Sequence, residues 1–122
     1  MNIVRLEKHQ FPSPPQHDLR EYNVLDSTGR YFGEVAHLYV DEDERKLRFV
    51  DVHTLGFFAL GRRHYLVPVE VIADERVSRG EIKLNVDEET LKRSPRFPNP
   101  LAGPDADYQR AIYHHFGYAA PE

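Results

Sequence analysis

Between Leu19 and Pro68 apolar and polar residues alternate with period two, interrupted at short intervals by turn residues. That pattern limits the chain to short strands more firmly than anything else in it. The run opens with Leu19-Arg20-Glu21-Tyr22-Asn23-Val24-Leu25, in which Tyr22 and Val24 share a face. Asp26-Ser27-Thr28-Gly29 follows as a turn, because Asp and Ser side chains bond nearby backbone and Gly29 accepts positive φ. In the next strand, Phe32 to Asp41, Val35 and Leu38 lie three apart whereas Leu38 and Val40 lie two apart. A strand with one buried face keeps that spacing only through a bulge, expected near Ala36-His37. Asp41-Glu42-Asp43-Glu44-Arg45 reads as a solvated hairpin turn, and Leu47 to His53 as a central strand. Tyr65-Leu66-Val67 is another strand, ended by Pro68, which has no ladder donor. Val69 to Ala73 and Ile82 to Val86 pair across Ser78-Arg79-Gly80, giving roughly six antiparallel strands that close a small barrel.

The ends differ in composition. Residues 1–17 hold Pro12, Pro14 and Pro15, so they form an extended arm that is disordered or lies on the barrel through Ile3, Leu6 and Phe11. Asp87 caps a short helix that stops before Pro95, and residues 93–104 are a proline-rich linker. A second helix starts at Asp105 to Asp107 and ends at Gly117, with Tyr108, Ile112 and Phe116 in an apolar stripe. The organisation expected is an arm (1–17), a barrel (18–92), and a linker with C-terminal helix (93–122).

The strand and turn order of residues 18–92, from Leu19-Arg20-Glu21-Tyr22 through Gly33-Glu34-Val35 and Arg48-Phe49-Val50-Asp51-Val52 to Leu66-Val67-Pro68, resembles the PRC-barrel. This is the small β-barrel of the photosynthetic reaction-centre H subunit's cytoplasmic domain. It is also similar to the C-terminal domain of the ribosome maturation factor and to stand-alone bacterial proteins. Ser94-Pro95-Arg96-Phe97 and the aromatic tail extend the likeness weakly toward Tyr118. The resemblance implies a mainly β docking module without catalytic residues, able to form homodimers, and its bacterial members suggest a stress-linked setting.

Composition narrows the chemistry. With no cysteine the chain has no disulfide, thiolate nucleophile or thiolate-held metal, which suits a reducing cytoplasm. No signal peptide and no apolar run near the ~20 residues of a membrane helix is read. A net charge of −4 argues against general nucleic-acid affinity. Seven histidines are present, but His114-His115 diverge around a helix, and His37, His53 and His64 lie on or near separate strands. No metal and no cofactor is therefore expected. Ser27, Ser78 and Ser94 lack a nucleophile elbow, and Asp26, Asp41 and Asp51 read as turn caps or solvated positions, so the chain is not expected to be an enzyme.

The expected interaction surface comprises Phe57, Phe58 and Leu60 in the apolar stretch 55–60, with Arg62 and Arg63 beside it and Tyr108, Ile112 and Phe116 of the tail. The 55–60 stretch either forms an interface or plugs the barrel. The leading expectation is a cytoplasmic, self-associating adaptor for protein partners. A ribosome- or RNA-associated factor using Arg62-Arg63-His64-Tyr65 is the alternative, and a small-molecule or metal-binding barrel the third.

Overall fold

The computed structural model describes residues 1–54 and 63–121. Its strands are β1 (Ile3–Arg5), β2 (Asn23–Leu25), β3 (Tyr31–Asp41), β4 (Leu47–Thr54), β5 (Arg63–Pro68), β6 (Ile72–Arg76) and β7 (Glu81–Leu84). Two helices follow, α1 (Glu88–Lys92) and α2 (Ala106–His115). Hydrogen bonding runs in the order β5-β4-β3-β2-β7-β6, with β1 added to β3. The strands curl into a half-closed barrel.

Period-two alternation supplies the inside of that curl. Val24, Val35, Leu38, Val40, Val50, Val52, Val67, Ile82 and Leu84 are buried in one cluster, joined by Phe32 and Tyr65, whose rings lie 5.4 Å apart. The parity break of β3 is a bulge: Val35 pairs with Val52 and His37 with Asp51, so Ala36 is the extra residue. The Asp26 turn forms as its composition dictates. One carboxylate oxygen accepts from the Thr28 and Arg30 amides and the Thr28 hydroxyl, and the other from the Glu88 amide at the start of α1. Burial alone would raise the Asp26 carboxyl, but these four donors outweigh it and hold it below its ordinary range. Gly29 takes φ +88°, as the turn requires.

Several expectations are corrected. The sheet is not wholly antiparallel, since β2 and β7 run parallel. It has seven strands; the additional one is β1, from the arm. Ile3 and Leu6 are buried, while Phe11 is 66% exposed. The first barrel strand shrinks to Asn23–Leu25, because Glu21 adopts φ +71° and breaks the extended run. A 3-10 turn occupies Val69–Val71, shifting the β6 strand to Ile72–Arg76.

Close approach explains one glycine. A Cβ on Gly33 would lie 2.3 Å from the His53 carbonyl oxygen across the β3–β4 ladder. We expect Gly33→Ala to cost about 1–3 kcal/mol by forcing those strands apart. Gly29→Ala meets no atom and should lose only about 1 kcal/mol through its positive φ. Thermal melts of both variants check the order; a smaller loss for Gly33→Ala than for Gly29→Ala would contradict the close approach.

Candidate functional site

Antiparallel partners point to the same side of a sheet, so the register defines the outer face directly. On β3 this face carries Glu34, His37 and Tyr39; on β4, Phe49, Asp51 and His53; on β5, Pro68, Leu66 and His64. Arg5 of β1 pairs with Tyr39 and joins the same face. The face divides in two.

Its apolar half lies beneath the C-terminal segment. Phe97 meets Tyr39 edge-on at 5.4 Å and stacks on Tyr108 at 5.6 Å, while Tyr113 meets Phe49 edge-on at 5.4 Å. Ile112 and Tyr113 complete a second buried cluster with Ile3 and Leu66. The Tyr39 and Tyr108 hydroxyls donate to the carbonyls of Pro100 and Pro95, tying down the linker. Asp105 caps α2 by accepting from the Tyr108 amide, and Gly117 at φ +84° turns the chain after it.

The polar half holds His37, Asp51, His53 and His64. Asp51 is 0% exposed, and His64 Nδ1–H donates to its two oxygens at 2.9 and 3.0 Å. Burial pushes the Asp51 carboxyl up to about 6, against the opposing pull of His64 and Arg5. The His53 ring lies 5.9 Å from that of His64, and its Nε2 is 3.9 Å from Glu34. Burial, then the nearby basic groups Arg5, His64, His53 and Arg20, lowers the pKa of His37. Among the described residues no three such side chains are grouped so as to hold a metal ion. This convergence of three histidines from β3, β4 and β5 corrects the expectation that they stay apart, and Asp51 is neither a turn cap nor solvated.

A groove of about 480 Å³ adjoins this half, lined in part by Arg5, Phe11, Arg20, Glu21 and His37. Arg20 is fixed there: its guanidinium bonds Asp18 and the carbonyls of Glu7 and Gln10, and lies 5.6 Å from the centre of the exposed Phe11 ring.

The surface expected from sequence is redistributed. Phe57, Phe58, Leu60 and Arg62 lie outside the described residues. Arg63 is exposed at the start of β5. Tyr108 and Phe116 are half-buried, and Ile112 is fully buried. Ile112 is therefore withdrawn from the interaction surface, because the apolar stripe of α2 is spent on the chain's own sheet. The Phe11–Arg20–His37 groove was not anticipated. Its residues are distant in sequence, and its only forward signal was an aromatic residue in the proline-rich arm.

The fold, a curled β-sheet with its helices at the C-terminal end, is the setting for the comparison with known families. The PRC-barrel domain family matches residues 15–91, more than half of the 122 residues. The chain belongs to that family. No curated protein matches it. The tail that covers the apolar half lies beyond the matched region. Among the described residues no helix is long and apolar enough to cross a membrane.

Two outcomes follow. Ile112→Ala should destabilise the isolated protein by about 2–5 kcal/mol in chemical denaturation, whereas a residue held in reserve for a partner would cost almost nothing. For Asp51 the folded-state value is above the unfolded one, so its contribution favours the fold at low pH and is lost as pH rises through about 6. Relative to Asp51→Asn, the parent protein should therefore gain stability between pH 7 and pH 4, by roughly 2 kcal/mol. Parallel stability profiles across that range would contradict the buried charge.

Proposed function

We propose that this chain is a non-catalytic adaptor that binds protein partners, a second copy of itself included, through the polar half of the outer face and the groove beside it. The observation that carries this reading is the groove beside the histidines. A large aromatic side chain, Phe11, stands 66% exposed at its edge, next to an arginine already held in place by four hydrogen-bond acceptors. A cation fixed before binding loses little conformational freedom when a partner arrives, and an exposed aromatic ring offers the area that interface anchors use. Membership of the PRC-barrel family, whose general character is that of an interaction or assembly module, agrees with this. Exposed Arg63 adds to the surface at the start of β5; Phe57, Phe58, Leu60 and Arg62, outside the described residues, belong to the proposal through the sequence alone. A cytoplasmic setting and a stress-linked role belong to the same proposal through family resemblance.

The test combines two measurements on the full chain. Sedimentation velocity over a range of concentrations reads self-association, and capture from host lysate with and without nuclease reads other partners. Phe11→Asp and Phe57→Asp/Phe58→Asp, each checked to be folded, serve as controls. Association or nuclease-resistant capture that either variant abolishes supports the adaptor. A strictly monomeric protein that recovers only ribosomal proteins, and loses them to nuclease, replaces this reading with the ribosome-associated alternative.

A further inference from the structure

Asp51 occupies the boundary of the two halves of the outer face. Its neighbour along β4 on one side is Phe49, beneath Tyr113, and on the other His53. Across the ladders it faces Leu66 on β5 and His37 on β3. On this side of the sheet the packed elements are the linker, through Phe97 and Pro100, and α2, through Tyr108, Ile112 and Tyr113. The Tyr39 and Tyr108 hydroxyls both lie within range of the Asp51 charge, which contributes to raising each of them, although burial contributes more. A carboxylate 0% exposed thus sits next to Phe49 and Leu66, residues on which the C-terminal segment packs. Its only hydrogen-bonding side chain among the described residues is an imidazole, itself able to carry a proton.

Any contact that buries an ionisable group is weakened when that group takes its charged form, and the group's affinity for the proton rises in return. We propose that the Asp51–His64 pair is a proton-operated latch for the segment from Pro95 to Tyr118. With a proton added to the pair from solvent, the segment stays packed. With the carboxylate charged, it opens more often and uncovers Ile3, Tyr39, Phe49 and Leu66. The groups that face the latch are His37 and Tyr39 of β3, His53 of β4, Arg5 of β1 and Tyr108 of α2, with Glu34 and Arg20 at the margin. Of these, His37 acts in the opposite sense, since its lowered pKa means that acid charges it at a cost. It pairs with Asp51 across the β3–β4 ladder and lines the open groove; any contribution it makes runs the other way with pH and is told from the latch by its sign. The latch is independent of whether the protein is an adaptor, because it operates in the isolated chain.

Native-state hydrogen exchange of the full chain, followed residue by residue by NMR and corrected for the intrinsic pH dependence, tests it. Amides of α2 should open with a smaller free energy than those of β3 and β4. Their opening constant should rise with pH between about 4 and 6, up to about tenfold per unit, and then level off, as release of one proton requires. Asp51→Asn should abolish that rise and leave α2 protected throughout. His64→Asn removes the imidazole whose charge favours the carboxylate, and should move the levelling point to higher pH; it also serves if Asp51→Asn fails to fold. Opening of α2 that is flat in pH, that occurs only together with β3 and β4, or that keeps its pH dependence in Asp51→Asn overturns the proposal. So does a levelling point unmoved by His64→Asn.

Discussion

One extra residue in β3 decides what meets on each side of this sheet. Skipping Ala36 in the ladder lets Val35, Leu38 and Val40 all point inward although their spacing is three and then two. The same skip sets Glu34 and His37 on the outer face together, where unbroken alternation would have placed them on opposite sides. Without the bulge His37 would turn inward and the polar half of the outer face would lose its β3 member. The inward set of β3 and the histidine group are therefore two products of one bulge, while a second irregularity, between Tyr39 and Val40, brings Leu47 opposite Val40 and into the core.

Much of this was legible in residue order. Turn residues at Asp26 to Gly29, the parity break, the caps at Asp87 and Asp105 and the glycine after α2 are local signals, each read over four or five positions. The helical stripe of Tyr108, Ile112 and Phe116 was equally visible, but a stripe does not say whose surface it covers. What escaped notice depends on register. His37, Asp51, His53 and His64 become neighbours only once β3, β4 and β5 are aligned, and Asp51 sits inside a run of strong β-formers where nothing marks it as buried. The parallel pairing of β2 with β7 is non-local in the same way, as is the recruitment of Ile3 to Arg5 into the sheet.

The two apolar clusters stand in different relation to the family. The inner one is built almost wholly from residues 15–91, the part that matches the PRC-barrel. The outer one takes Phe97, Ile112 and Tyr113 from beyond that region. Its cover brings five aromatic rings together edge-on or stacked, geometries that suit their quadrupoles and add to simple burial.

The first and last parts of the chain are stitched together. Gly103 sits so close to β1 that a Cβ there would be 2.0 Å from the Ile3 carbonyl oxygen, and the Gln109 amide donates to the Met1 carbonyl. During synthesis Ile3 and Tyr39 leave the ribosome long before Phe97, Gly103 and Gln109 exist. The nascent chain must therefore carry the apolar half of its outer face uncovered until residues 97–113 emerge, and this half folds only once they do.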